Sequence, residues 1–510
     1  MRGPVSPPGS DTPQGARPNQ YCCGRRESCT AAYARRMPPV ITTPRAGRPR
    51  PQRRVQLARL AVLGAVAMLA FGVGFEEGSK PTAALQPNPV VAPVAAVAGE
   101  LPAAPGVQPG GPAFAATTGE LPSAALQARL TELRKAFSTP GVSVTIIWPD
   151  GRSWTGVSGW ANVRTRMPVY SGTAFSVASV TKTFVAALML DLAEDGRLSI
   201  DDRVRRWLPT ARVPWAVTIR QMLQHTSGLY DYFSNATIGS ALLADKRRAW
   251  TASRALSYMR APYFTAGHGW RYSNSNYVLL GQIVQRVTGR TVAAELRRRF
   301  IEPLGLSRTF MQGVEARRGT VATAYVQQGW GTSVRWINQS DGTPIAPWTS
   351  LTTAAGNAGA MASSSRDLAV WARALYGGAV LEPASLAAME DVSRSVALHA
   401  SRRYGLGVME EWFGGRRTYG HNGRLDGSRS SIRYLPAYGF TIAVVTNQDR
   451  YSPDSFGTRL MDIAIASMPT VPPPSQLSSR TATADLPTAP SPTPAPFTNE
   501  APSLAPSPAD

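Results

Sequence analysis

The chain predicts an α/β domain whose single sheet is assembled from both ends of the domain around a mainly helical insertion. Two strand-like stretches come first, at residues 142–148 and 154–162, around a Pro149-Asp150-Gly151 turn. Three more come last, at 417–419, 431–435 and 440–447, with Pro436 and Gly439 punctuating the final pair. Between them, residues 200–390 read as helices and loops.

The helices around that frame have their own signals. Residues 124–137 carry apolar side chains at helical spacing, after Pro122-Ser123. Ser179 opens a long apolar helix that runs to Ala193 and ends at Asp195-Gly196. A further apolar helix is expected over 277–287, and a closing helix over 455–468. Residues 121–468 therefore form the folded domain, long enough for a large two-lobed core.

The flanks have a different character. Residues 1–54 are rich in Pro, Gly and Arg, lack periodicity, and are expected to be a disordered basic tail on the cytoplasmic side. Residues 60–75 are uncharged and apolar, and extension back to Val55, with Arg59 snorkelling, reaches a spanning length. The arginines before that run place the rest of the chain outside the cytoplasmic membrane. Residues 55–75 are thus a transmembrane signal anchor or the core of a signal peptide that is removed, and a start at Met37 would make the segment look more like an ordinary signal peptide. Residues 76–120 read as a Pro/Ala-rich linker and residues 469–510 as a disordered Pro/Ala/Ser/Thr-rich tail.

Composition excludes several chemistries. The formal net charge is +22, but lysine occurs only at positions 80, 135, 182 and 246, so the arginine excess reads most simply as genomic base composition. A weak attraction to anionic wall polymers or lipid head groups is compatible with it. There is no nucleic-acid motif. Cys22, Cys23 and Cys29 all lie in the N-terminal tail, so the folded domain holds neither a disulfide nor a thiol nucleophile. His268 and His399 are isolated, and no H-E-x-x-H spacing exists, so neither a metal nor a cofactor is expected. The absence of G-x-S-x-G argues against an α/β-hydrolase fold.

Three constellations carry chemistry. In Ser179-x-x-Lys182 the two residues share a helix face. A lysine desolvated among apolar neighbours can take the proton that makes a serine hydroxyl nucleophilic. In Tyr272-Ser273-Asn274 the phenol can shuttle a proton and the Asn274 amide can orient a substrate carbonyl, although Ser273 and Asn274 also suit a helix cap. In His421-Asn422-Gly423, expected at a strand end, a small residue on an edge lets an extended substrate lie alongside the sheet. The backbone N–H of Arg424, with that of Ser179, can form an oxyanion hole, and His421 can donate near a substrate carboxylate.

Together these motifs resemble the S-x-x-K, Y-x-N and H-x-G series of the serine β-lactamase-like and penicillin-binding family. Flanking segments are similar too: Met222-Leu223-Gln224-His225-Thr226-Ser227-Gly228-Leu229, Pro303-Leu304-Gly305-Leu306 and Ala355-Gly356-Asn357-Ala358-Gly359. The resemblance spans residues 121–468. It implies a β-lactamase/transpeptidase-like fold, an antiparallel sheet flanked by helices with a mainly helical lobe. It assigns catalysis to Ser179, Lys182 and Tyr272 and substrate binding to Asn274, His421, Asn422, Gly423 and Arg424. Histidine in the third motif, with the run from His225 to Tyr232, resembles the secreted D-alanyl-D-alanine carboxypeptidases. The implied substrate is a peptidoglycan peptide, with β-lactams as covalent inhibitors of the same serine. Asn422 and Arg424 stand where threonines are frequent, which leaves the acyl substrate open. The alternatives are an esterase or β-lactamase of the same fold, or a catalytically weak wall-binding protein.

Overall fold

The computed structural model describes the backbone of residues 97–100 and the whole of residues 119–329, 333–393 and 402–468. The predicted basic tail, the apolar run at 55–75, most of the 76–120 linker and the tail from 469 lie outside the described residues. Among those described, no helix is long and apolar enough to cross a membrane.

The N-terminal strands are β1 (Val97–Glu100), β2 (Gly141–Ile147) and β3 (Arg152–Asn162). The C-terminal strands are β4 (Arg402–Tyr404), β5 (Met409–Phe413), β6 (Arg416–Leu425), β7 (Ser428–Leu435) and β8 (Phe440–Thr446). Their order in the sheet is β1-β3-β2-β8-β7-β6-β5-β4, antiparallel throughout. The two halves of the chain join where β2 meets β8, with Val144 opposite Val444. Both of these strands are buried along their whole length, as expected of central strands covered on each face. The sheet is therefore built from both ends of the domain.

One face is covered by α1 (Ser123–Ala136) and the closing helix α5 (Asp454–Ala466). Leu126, Leu130 and Leu133 of α1 line one side of that helix and pack with Val144, Trp154, Phe440 and Leu460. The other face is covered by α4 (Ser365–Tyr376), whose Leu368, Trp371 and Leu375 join the larger core shared with the helical lobe. At the centre of that core lies α2 (Thr181–Glu194), buried without interruption from Thr181 to Leu190. A helix that is apolar all round is an interior helix.

The structure departs from expectation in four places. Strand β1 lies within the segment 76–120 expected to be a linker, where it pairs with β3, Val97 opposite Thr155 and Glu100 opposite Arg152. Strands β4 and β5 do not stand out in the sequence, because charged residues interrupt their apolar pattern: Arg402 lies opposite Glu411, and Arg403 bonds Glu410 at 2.7 Å. The strand expected at 417–419 continues to Leu425, so His421, Asn422 and Gly423 lie within β6 rather than at its end. The insertion also holds a hairpin, Tyr325–Gln328 with Arg335–Asn338, among its helices.

Candidate active site

Ser179 sits in a single 3₁₀ turn that leads into α2. The residue before it, Ala178, has φ +48°, a left-handed conformation that costs a non-glycine residue about 1 kcal/mol. That turn is held from two sides. The Val177 N–H donates to the Met361 carbonyl at 3.0 Å, and the Ser430 hydroxyl donates to the Val177 carbonyl at 2.7 Å. Ser179 itself is half-buried, amid neighbours that are fully buried.

One turn into the helix, Lys182 is completely buried. Its amine reaches the Ser179 hydroxyl at 3.1 Å, Asn274 Oδ1 at 2.9 Å and the Ala358 carbonyl at 2.7 Å. Burial pushes the amine down to about 7, against the opposing pull of Asp231. Near neutrality a large fraction is therefore the free base that Ser179 activation requires.

Asn274 opens α3 (Asn274–Thr288). Ser273 occupies the cap position, as its residue type suits, but its side chain makes no capping bond. Tyr272 stands just before it, with Lys182 4.9 Å from the centre of its ring. Its hydroxyl is buried without a hydrogen-bond partner of standard geometry, and Ser179 is close enough to ease its ionisation slightly. Burial dominates and raises the phenol well above its usual value, so Tyr272 is a neutral proton donor at physiological pH.

The third motif approaches from the sheet. In β6 the two-residue hairpins at Gly414-Gly415 and Asp426-Gly427 close on the pairs Phe413–Arg416 and Leu425–Ser428. Both place residues 416, 418 and 420 toward β5, and 421, 423 and 425 toward β7. The β5 pairing ends at Gly420. The N–H and C=O groups of Asn422 and Arg424 therefore face an open edge, beside the turn that carries Ser179. An acyl substrate can extend the sheet there, with the N–H groups of Ser179 and Arg424 toward its carbonyl oxygen.

Side chains of this motif have distinct roles. His421 is buried, and its Nδ1 lies 2.6 Å from the Asn422 carbonyl, which can only accept. Nδ1 therefore carries the proton, and Nε2 accepts from the Tyr404 hydroxyl at 2.9 Å. Burial, with Lys182 nearby, holds the imidazole down to about 3, so it is neutral. Both ring nitrogens are spent within the protein, and neither is free to donate to a carboxylate as the sequence suggested. Asn422 turns its amide away into a charged cluster: Nδ2 donates to Asp454 at 3.0 Å, and Oδ1 accepts from Arg433 at 2.6 Å. Arg424 is exposed at the cavity rim.

Seven of the eight residues expected at the site line one cavity of about 480 Å³, and Lys182 lies beneath it. Phe233, Leu351 and Met409 supply apolar wall. A second cavity, of about 550 Å³, opens among residues 317–324 and 340–347 and shares none of this lining.

Residues 126–465 match the family described as Beta-lactamase. The chain belongs to the Beta-lactamase family. Penicillin-binding protein 4 of Amycolatopsis lactamdurans is 29% identical over 68% of this chain and 91% of its own length. A D-aminopeptidase of Gluconobacter oxydans is 28% identical over 64% of this chain and 59% of its own length. Among solved structures, a D-stereospecific amidohydrolase from Streptomyces sp. superposes with a TM-score of 0.57 at 29% identity, covering 68% of this chain and 99% of that one. The D-amino acid amidase of Ochrobactrum anthropi SV3 in complex with L-phenylalanine amide gives 0.55 at 25% identity, covering 68% and 97%.

As a member of this family the protein is a serine hydrolase of the β-lactamase fold, and the flanking motifs acquire physical roles. His225, at φ +63°, lies with its ring centre 4.2 Å from that of Tyr272 at a tilt of 35°, and its Nδ1 accepts from the Ser273 N–H at 3.2 Å. Ser227 bonds Asn276 at 2.8 Å. Gly228 is forced by the Phe264 carbonyl, which a Cβ would overlap. Asn357 of the small-residue loop fills the space that Gly281 leaves open on α3, and next to it Ala358 supplies the carbonyl for Lys182. The motifs thus hold the Tyr272 and Lys182 ends of the site. Sequence reasoning does not single out Asp231, Tyr404 or Arg433, although Asp231 lies within the run that resembles carboxypeptidases.

Proposed function

We propose that the protein is a serine-type D-alanyl-D-alanine carboxypeptidase acting on cell-wall peptides outside the cytoplasmic membrane. Ser179 Oγ attacks the carbonyl carbon of the penultimate residue as the Lys182 amine takes its proton. The oxyanion lies toward the N–H groups of Ser179 and Arg424. The C–N bond then breaks, and the leaving amine receives a proton through the Tyr272 phenol, resupplied from Lys182. Water adds to the ester, loses its proton by the same route, and releases the acid and free Ser179.

The observation that carries the carboxypeptidase reading is Arg424. It is the one residue of the open edge that presents an exposed cation at the cavity rim, next to Gly423. A guanidinium there suits the free carboxylate of a leaving D-alanine. The export reading rests on the apolar run at 60–75 and the arginines before it.

A second reading, hydrolysis of D-amino acid amides or amino-terminal D-residues, is favoured by the D-aminopeptidase and amidase relatives. One comparison separates the two. The purified protein and Ser179→Ala are given an N-acyl-D-alanyl-D-alanine peptide, its C-terminal amide, and a D-amino acid amide with a free amine. The expected result is D-alanine release from the first alone, with Arg424→Ala raising its KM roughly 10- to 100-fold through loss of a charge-assisted bond. Turnover of the D-amino acid amide without D-alanine release would transfer the assignment to an amidase. Covalent labelling by a fluorescent penicillin without turnover would leave a wall-binding protein.

A further inference from the structure

Asn274 faces Lys182 with its amide oxygen, and nothing in an asparagine side chain alone decides which way the amide turns. The decision is made one layer further out. The Asp231 carboxylate accepts from the Asn274 backbone N–H at 3.1 Å, and from Asn274 Nδ2 at 3.3 Å to Oδ1 and 3.2 Å to Oδ2. It also accepts from the Phe233 N–H at 3.3 Å. Every one of these partners is a donor, which is the environment of an ionised carboxylate rather than a carboxylic acid. A carboxylate cannot donate, so Nδ2 must turn toward it and Oδ1 must turn toward Lys182.

We propose that Asp231 is a positioning residue for the acylation base: through Asn274 it fixes the direction of the amide that holds Lys182, and it places a buried negative charge one side chain away from that amine. Asp231 is 8% exposed, so its charge is weakly screened. That burial raises the carboxyl above its usual value, while the N–H donors of Asn274 and Phe233 and the nearby Lys182 favour its ionised form. Among the described residues, the other titratable groups around Lys182 are rings. Tyr272 and Tyr277 stand 4.9 and 5.4 Å from the amine, and buried His225 and His421 sense it electrostatically. Both histidines are held below their usual value, burial being the larger cause, so they are neutral at the working pH. Asp231 is therefore the anion opposing desolvation of the amine. This inference rests on Lys182 acting as base toward Ser179.

Asp231→Asn removes the charge and offers Asn274 a partner that can both donate and accept, so the amide direction is no longer forced. Asp231→Glu retains the charge. The full chain has four lysines, so the Lys182 amine can be followed by NMR in isotopically lysine-labelled protein, with Lys182→Ala for assignment. The expected result is a Lys182 titration displaced downward by at least about half a pH unit in Asp231→Asn and largely restored in Asp231→Glu. The acid limb of penicillin acylation moves by the same amount, with the maximal rate reduced roughly tenfold or more by loss of orientation. An unchanged Lys182 titration in folded Asp231→Asn would overturn the proposal, whatever the protein's substrate. A displaced titration beside absent acylation in the wild type would instead count against the carboxypeptidase reading alone.

Discussion

The Ser430 hydroxyl donates to the Val177 carbonyl oxygen at 2.7 Å, and the bare Cα of Gly423 faces the gap between them. This contact joins the sheet to the turn carrying the nucleophile, and it sets the spacing between Ser179 and the open edge of β6. A Cβ at position 423 would overlap both atoms. Gly423→Ala must therefore push the strand from the turn. The expected cost is about 1–3 kcal/mol of stability from overpacking. Because displacement by a fraction of an ångström disrupts the oxyanion site, acylation falls further, about 100-fold. Denaturant midpoints and fluorescent-penicillin acylation rates measured on one preparation check this. Acylation that fell only in proportion to unfolding would show that the spacing has no catalytic role.

The buried Lys182 amine makes a prediction about pH. It is held down to about 7 chiefly by desolvation. Below that value it is protonated and cannot accept the Ser179 proton, and above it the amine is free. The acylation rate should fall tenfold per unit below pH 7 and level off above it. His421, held down to about 3, contributes no limb in this range. Lys182→Arg keeps a positive charge that cannot be shed, and should lose about 10²- to 10⁴-fold across the whole profile. A limb persisting in that variant would assign the base elsewhere.

How legible each element is in the sequence depends on how that element is stabilised. Strands β2 and β8 are apolar runs because both faces are covered, so they stand out. Strands β4 and β5 are held by cross-strand charge pairs such as Arg403–Glu410, and charged residues give no strand signal. The far half of β6 lacks apolar alternation because Gly423 must be bare, Asn422 turns into an ionic cluster, and Arg424 faces solvent. Motif spacing brings Ser179, Lys182, Tyr272 and Asn274 to one site, since local helix geometry and neighbouring residues place them in pairs. Roles that depend on the folded surroundings are out of its reach. His421 reads as a substrate donor until Tyr404 is seen on its Nε2. Asp231 acts on Asn274 only because the fold sets its loop against the first turn of α3.

The same buried histidines predict acid sensitivity. His421 and His225 are held below their usual value in the folded protein, whereas in the unfolded chain they titrate near about 6.5. Above that pH neither state binds the extra protons, and the histidines do not affect stability. As pH falls below it, the unfolded chain takes up protons that the folded protein refuses, so stability declines with falling pH, for His421 until about 3. Glu390, raised to about 7 by burial, titrates in the same window with the opposite sign. The difference between wild type and His421→Gln is therefore the useful quantity. Unfolding free energies from pH 7 to 4 should decline less steeply in His421→Gln, by about one proton. Parallel curves would mean that the His421 ring is protonated in the folded state.

Arg433 bears on the departure at Asn422. The guanidinium is buried on the back of the catalytic strand, where it bonds Glu411 at 2.6 Å, Asn422 Oδ1 at 2.6 Å and Asp454 at 3.1 Å. Asp454 in turn accepts from Ser431 at 2.5 Å and from Asn422 at 3.0 Å. An asparagine fits position 422 because it can accept from Arg433 with one end of its amide and donate to Asp454 with the other, which a threonine hydroxyl reaches less well. Arg433→Met keeps the apolar stem but removes the cation that Asp454 shares with Glu411, and of the two Glu411 keeps a second cation in Arg402. Removing one partner of a buried ion pair typically costs about 3–5 kcal/mol. Glu411 and Asp454 retain partial access to water, at 14% and 18% side-chain exposure, which argues for the lower end of that range. Asn422→Thr alone should cost less in stability but should slow acylation, because β6 loses the anchor that aims its open edge at Ser179. Urea unfolding with paired acylation rates tests this. An Asn422→Thr variant with full acylation would show that Arg433 and Asp454 serve stability alone.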